Sequence, residues 1–240
     1  MFLNNVENGV GNVYACLLGL RSLAEASALL AWFPGHDLSL FKQWCYVQAK
    51  LSRMLFQRRP DEWFPAYLLL MPLLSDNEEV VSWFAHFERP FDLVRADDIA
   101  TPEFHGYQAL LAIRGQWELL EERCSRIFNK STGNMKKYEI DHRFYIALAK
   151  GNLAEMESVL GELTSQSVAR VRNIETAFGF SGKFISTHAV IYAKIAWRHG
   201  YPIKIDTPFI PLEWLPVSPL PAYNDPYDFM KKFDINAPIE

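Results

Sequence analysis

Few residues in this 240-residue chain stand at spacings that chemistry uses. Glu139-Ile140-Asp141-His142 sets a carboxylate and an imidazole three apart, on one face of a helix, the pattern of ferritin-like di-metal sites. Such sites need a second E-x-x-H and two further glutamates. No second copy occurs, so the segment reads as a solvated helix face. Gly179-Phe180-Ser181-Gly182-Lys183 invites comparison with a phosphate-binding loop, but Ala177 replaces the leading glycine and Phe184 the required Ser or Thr. As a nucleophile elbow it fails at Lys183, where a second glycine belongs. It reads as a glycine turn entering a helix that begins near Phe184. There is no H-E-x-x-H, and the six histidines are scattered singly. No catalytic residue, metal ligand or cofactor site is expected, and the chain is not expected to be an enzyme. An enzyme of unfamiliar type would need titratable groups converging on one pocket.

The charges are more informative. From Ser75 to Glu103 eight acids (Asp76, Glu78, Glu79, Glu88, Asp92, Asp97, Asp98, Glu103) face two bases (Arg89, Arg95), a balance of −6. The whole chain carries only −4, so the remainder sums to +2. Glu118, Glu121 and Glu122 would extend this anionic face if the helices stack. It is either a solvated surface or a docking surface for a basic partner, where opposed fields speed association and reject wrong partners. Between Ser165 and Lys204 the sign reverses: Arg170, Arg172, Lys183, Lys194, Arg198 and Lys204 oppose Glu175 alone. Phe184, Ile185, Tyr192, Ile195 and Trp197 are interleaved there at helical spacing, which favours core over a nucleic-acid patch.

The elements that would position these residues are helices. Half the residues are hydrophobic and 22% charged, a soluble globular balance that excludes disorder for most of the chain. Asp37 can cap a helix running to about Arg58, with Leu40, Phe41, Trp44, Val47, Leu51, Met54 and Leu55 at helical spacing before Pro60. Ser75 with Glu78 forms a capping box, and Thr101-Pro102-Glu103 reads as N-cap, first-turn proline and first-turn acid. No proline falls between Glu103 and Tyr201, whereas eight of the 14 lie between Pro202 and Pro238. The only strand-like alternation, Ile203 to Ile205, is short. The three cysteines, Cys16, Cys45 and Cys124, are far apart and odd in number, which suits a reducing compartment. The first basic residue is Arg21, no uncharged apolar run approaches a membrane span, and no signal peptide is read at the start. A cytoplasmic protein with no membrane partner is expected. No heptad seam specifies an oligomeric state.

One unit is written twice. Leu111-Ala112-Ile113-Arg114-Gly115-Gln116-Trp117 and Ala147-Leu148-Ala149-Lys150-Gly151-Asn152-Leu153 lie 36 residues apart. Each ends an apolar helix at a base and a glycine, then opens a new helix at a polar cap. The expected architecture is all-α, stacked antiparallel helical hairpins at tetratricopeptide-like spacing, as a single domain over residues 1–240. Residues 201–240 form an irregular tail rich in proline and aromatics. Phe209, Trp214, Tyr223, Tyr227, Phe229 and Phe233 give it too much apolar surface to stay solvated. The tail is therefore expected to pack on the body, with Pro211-Leu212-Glu213-Trp214 as one helical turn.

A resemblance enters in the C-terminal third. Phe184-Ile185-Ser186-Thr187-His188-Ala189 leads to Tyr192-Ala193-Lys194-Ile195-Ala196-Trp197-Arg198-His199-Gly200. Ile205-Asp206-Thr207-Pro208, Pro211-Leu212-Glu213-Trp214-Leu215-Pro216 and Tyr223-Asn224-Asp225-Pro226-Tyr227-Asp228-Phe229 follow. With Phe144-Tyr145-Ile146-Ala147-Leu148-Ala149-Lys150-Gly151-Asn152 upstream, this order resembles the immunity protein 49 family of bacterial polymorphic toxin and type VI secretion systems, over roughly residues 136 to 230.

The resemblance implies an all-helical cytoplasmic protein that binds and silences one cognate protein toxin, without catalytic residues of its own. A toxin met in the cytoplasm is expected to be a nuclease domain, whose substrate channel is basic. Asp76, Glu78, Glu79, Asp97, Asp98, Glu118, Glu121 and Glu122 are the expected toxin-docking residues, and no direct nucleic-acid contact is expected. The alternative is a helical-repeat adaptor that binds a peptide or helper protein.

Overall fold

The computed structural model describes residues 2–62, 65–128, 133–173 and 181–239. In chain order the helices are α1 (Phe2–Asn8), α2 (Val13–Trp32), α3 (Leu38–Arg58), α4 (Leu70–Ser75), α5 (Glu78–His86), α6 (Leu93–Asp97) and α7 (Pro102–Ile113). They continue with α8 (Trp117–Phe128), α9 (Glu139–Ala149), α10 (Leu153–Leu163), α11 (Gln166–Arg172), α12 (Thr187–Arg198) and α13 (Asp228–Lys231). Short 3₁₀ turns span Ala66–Leu69, Gly133–Tyr138, Ser181–Lys183 and Leu212–Trp214. No strand occurs among the described residues, Ile203 to Ile205 included, so the protein is all-α. The chain divides into two compact units. Unit 1 holds Met1–Glu62, Met71–Pro90 and Ser218–Glu240; unit 2 holds Trp63–Leu70 and Phe91–Val217.

Unit 1 is organised on α2 and α3. Leu17, Leu20, Ala24, Ala28 and Ala31 form a buried stripe on α2, and Phe41, Cys45, Ala49, Leu51 and Leu55 are buried on α3. Alanines at four of these positions permit close helix approach, while each buried Leu or Phe contributes roughly 1.5–3 kcal/mol. α2 is the one described helix long and apolar enough to cross a membrane, but it carries Arg21 and Glu25, and Glu25 is buried. The Asp37 side chain accepts from Leu40 N at 2.9 Å, so α3 starts where its cap dictates. The polar stripe of α3 is not a solvent face. Lys42 donates to Ser218 O, Gln43 to Asn224 O, Lys50 to Asp225 and Arg53 to Ile235 O and Ala237 O. Residues 42, 46, 50, 53 and 57 recur every three or four positions, so one face of α3 holds the C-terminal segment. Met230 and Ile235 of that segment are buried.

Unit 2 contains the two hairpins. α7 ends at Gly115 (φ +69) and α9 at Gly151 (φ +66), both left-handed. Gln116 N donates to Leu111 O, and Asn152 N donates to Ala147 O, the same six-residue closure at both turns. Thr101 caps α7 with Pro102 in its first turn, and Asn152 caps α10, accepting from Glu155 N at 3.2 Å. α12 is buried from Thr187 to Ala196 and begins three residues later than expected. Ile185, Tyr192 and Ile195 are core as expected, whereas Phe184 is exposed and Trp197 half-buried. Buried Lys194 donates to Trp214 O and Pro216 O, anchoring the 3₁₀ turn at Leu212–Trp214. Residues 201–217 thus belong to unit 2 and 218–240 to unit 1. Glu175, Gly179 and Phe180 lie outside the described residues, while Ser181–Lys183 form a 3₁₀ turn.

Candidate functional site

The eight acidic residues do not share one role. Asp76 is buried: its Oδ2 lies 2.8 Å from the Nζ of buried Lys42 and accepts from Ser218 N at 3.2 Å. A carboxylate enclosed in this way cannot meet a partner, so Asp76 leaves the docking set. Its backbone is left-handed (φ 57), and the cap of α5 is Asn77, whose side chain accepts from Val80 N, rather than Ser75. Glu78 and Glu79 are exposed in the first turn of α5, and Glu79 accepts from Asn236 at 2.7 Å. These two belong to unit 1; the remaining five belong to unit 2.

In unit 2, Asp97 is a clamp. Its carboxylate lies 2.6 Å from Arg126 and 3.2 Å from Arg123, both on α8, and it is held below the usual carboxylate range first by the Arg126 hydrogen bond. Arg123 also donates to Ala96 O and to Gln108. Glu121 pairs with Lys150 at 3.0 Å. Asp98, Glu118 and Glu122 are exposed. The same region carries two large apolar side chains in water: Leu93 is 72% and Val94 81% exposed. Their helix is not frayed. Asp92 caps α6 by accepting from Val94 N and Arg95 N, and Arg95 closes a two-bond pair with Glu103 at 2.6 and 3.0 Å. Leu93 and Asp97 lie four apart, on one face of α6. On α8, exposed Leu119 and Glu122 and half-buried Arg126 lie on one stripe, and Arg126 meets Asp97. Leu93 and Val94 thus stand exposed on the helix whose last residue is the Asp97 clamp.

A second cluster lies inside unit 2, where sequence reading expected nothing. Asp141 and His142 are buried, so the E-x-x-H segment is not a solvated face. Asp141 pairs with buried Arg172 at 2.7 Å. His142 Nε2 lies 2.8 Å from His105 Nδ1, and its Nδ1 lies 3.2 Å from Cys124 Sγ. His105 Nε2 lies 3.2 Å from Ile99 O. A carbonyl only accepts, so His105 Nε2 carries hydrogen. In neutral His105 the Nδ1 then accepts from His142 Nε2, which leaves His142 Nδ1 to accept from the Cys124 thiol. Burial, with His105 and Arg123 adding to it, holds His142 well below the ordinary imidazole value; burial likewise pushes the Cys124 thiol up. Burial also keeps the Tyr145 and Tyr192 phenols protonated, and Asp141 reinforces this.

A cavity of about 260 Å³ opens on this cluster, lined among others by Tyr67, His105, Tyr138, Asp141, Arg172 and His188. The apolar residues on both sides of Asp141 and His142 (Ile140, Phe144, Tyr145, Leu148) are the signal that α9 has no wide polar face. Among the described residues no group of three or more His, Cys, Asp or Glu is arranged to hold a metal ion. No family model matches the chain, and neither the curated proteins nor the solved structures give a match.

Proposed function

We propose that this chain is an immunity protein that binds and neutralises a cognate antibacterial toxin of the cytoplasm-acting, nuclease class, and that α6 of unit 2 is the centre of the contact. The observation that carries the reading is the pair Leu93 and Val94, 72% and 81% exposed on a helix pinned at both ends. Large apolar side chains held rigidly in water mark interaction sites. Exposed Asp92 and Asp98 flank the same helix, and α8 of the same unit carries exposed Glu118 and Glu122, charges that suit a basic partner surface. Such a layout, an apolar centre with a charged rim, gives affinity at the centre and orientation at the edge. The resemblance of residues 136–230 to immunity proteins points the same way. Inhibition proceeds by occupying the toxin's cationic channel, so this chain contributes no catalytic group.

The test is co-expression with the product of the gene adjacent to its own. Rescue of growth together with co-purification supports the reading. Co-purification with a partner that harms no cell identifies an adaptor instead, and neither rescue nor co-purification refutes both.

A further inference from the structure

We propose that the outer face of α2 in unit 1 is a self-complementary surface that pairs two copies of this chain, helix against antiparallel helix, about a two-fold axis. The inference concerns unit 1 alone and rests on neither α6 nor a toxin. Its first support is an apolar side left in water. Leu23 is 53% and Leu30 65% exposed, and Phe2 of α1, which lies across Gly19, is 50% exposed. Ala26 and Leu29, both half-buried, complete the face. A helix that borders solvent ordinarily turns charge outward. Along Val13–Trp32 the only charged residues are Arg21 and Glu25, and Glu25 is buried. Each stands two positions from Leu23, about 160° round the helix from it. The serines do not wet the face either. Ser22 Oγ donates to Leu18 O at 3.1 Å and Ser27 Oγ to Leu23 O at 2.8 Å. Both hydroxyls are satisfied by their own helix, so covering the face strands neither.

The order of residues identifies the occupant. Gly19, Leu23, Ala26 and Leu30 stand at intervals of four, three and four, so all four share one side of the helix. They alternate small, large, small, large. Read backwards, the spacing is unchanged and the sizes are exchanged. Two copies laid antiparallel about an axis between Ala24 and Glu25 therefore set Leu23 against Ala26, and Leu30 against Gly19 with its Phe2. A two-fold interface demands this, since each contact is made twice with the roles swapped. Large residues opposite small ones interdigitate at native packing density, and an uncharged face meets its own copy without like-charge repulsion. A different protein, or a lipid surface, would not require the helix to be its own complement. The size also suits. α2 is about 30 Å long, and with the start of α1 the two faces bury on the order of 1,000 Å² in total, the lower limit of a specific interface.

Sedimentation equilibrium on the full chain should show a reversible dimer, twice 27.7 kDa, with Kd on the order of micromolar. Leu23→Glu and Leu30→Glu, both at exposed positions, should each weaken it by about 100-fold or more. Their circular dichroism and urea transition, taken at concentrations where the wild type is monomeric, should match the wild type. Cysteine pairing tests the register, because the three native cysteines are buried. A mixture of Leu30→Cys and Phe2→Cys chains should form the mixed disulfide under mild oxidation. Neither variant alone should cross-link, since the axis sets the two copies of position 30 about 16 Å apart along the helix. A monomer at hundreds of micromolar, a dimer undiminished in both glutamate variants, or self-cross-linking of Leu30→Cys overturns the proposal. So does sedimentation of the wild type, but not of Leu30→Glu, with phosphatidylcholine vesicles, which would assign the face to a lipid surface.

Discussion

The Nζ of Lys42 and the Oδ2 of Asp76 lie 2.8 Å apart, 3% and 0% exposed, thirty-four positions apart in sequence. This contact joins α3 to the turn before α5, and through Ser218 N and O to the C-terminal segment of unit 1. It converts Asp76 from a surface charge into a fastening.

Breaking that fastening has a calculable cost. Asp76→Asn should destabilise unit 1 by about 3–5 kcal/mol, because Lys42 is left as a buried, uncompensated charge. The double change Lys42→Met with Asp76→Asn should recover part of the loss, since it removes the buried charge while Asn tolerates the left-handed backbone and can still accept from Ser218 N. Urea denaturation of the three variants checks both statements. A single variant as stable as the wild type refutes the assigned role.

Glu25 gives a pH dependence. Burial raises its carboxyl from 4.5 to about 7, with Arg21 and Gln48 pulling the other way. An acid whose folded value lies above its unfolded value binds protons preferentially in the folded state. Its cost is absent below pH 4.5, grows as pH rises toward about 7, and is constant above that. Glu25→Gln should therefore leave stability at low pH unchanged and raise it above neutrality by about 2–3 kcal/mol. Melting curves on the two sides of that window decide it. Equal shifts at both pH values contradict the assignment.

The hairpin glycines should differ. Both are left-handed, but a Cβ on Gly151 would lie 2.8 Å from the Tyr201 hydroxyl, whereas on Gly115 its nearest neighbour is 3.4 Å away. Gly115→Ala should cost about 1 kcal/mol from backbone strain alone. Gly151→Ala should cost more, and Tyr201→Phe should recover the excess. Chemical denaturation of the single and double variants measures it. Equal costs at the two turns would show that Tyr201 moves aside freely.

Helix ends were legible because their causes are local. Asp37 before Leu38, Thr101 before Pro102, and the base-glycine pairs at Gly115 and Gly151 act within one turn, so spacing revealed them. The burial of Asp76, Asp141 and His142 was not legible, because each depends on a partner 31 to 37 residues away that no local pattern announces. The cap at Asn77 was missed for the same reason: Asp76 takes a left-handed conformation while bonded to Lys42, which moves the helix start past Ser75. The polar stripe of α3 shows the same limit. Charged residues every three or four positions mark a solvent face unless a segment far along the chain returns to cover them. Of the acidic set, Asp98, Glu118 and Glu122 are exposed as a docking surface requires, while Asp97 and Glu121 spend their charge on Arg126, Arg123 and Lys150.

The His142 assignment is open to spectroscopy. Long-range ¹⁵N–¹H correlation should show His142 as the Nε2–H tautomer from about pH 5 to about pH 8, the window in which an ordinary imidazole changes charge. Hydrogen on Nδ1, or titration within that window, would reverse the order of donors from Cys124 to Ile99.

Asp97 and Asp98 separate structure from docking. Asp97→Lys should lower stability by about 1–3 kcal/mol, as it leaves Arg123 and Arg126 facing a like charge. Asp98→Lys should leave stability within about 0.5 kcal/mol and slow association with the toxin, most strongly at low salt. Melting curves and stopped-flow association rates distinguish the two, and the opposite pattern would place the docking charge on Asp97.

Most direct is the affinity of the purified chain for its co-purifying toxin, measured by interferometry on the wild type and on the double variant Leu93→Glu, Val94→Glu. With the melting temperature unchanged, affinity should fall by about 100-fold or more, the equivalent of roughly 3 kcal/mol lost at a buried centre. Undiminished affinity in the folded variant would contradict docking through α6.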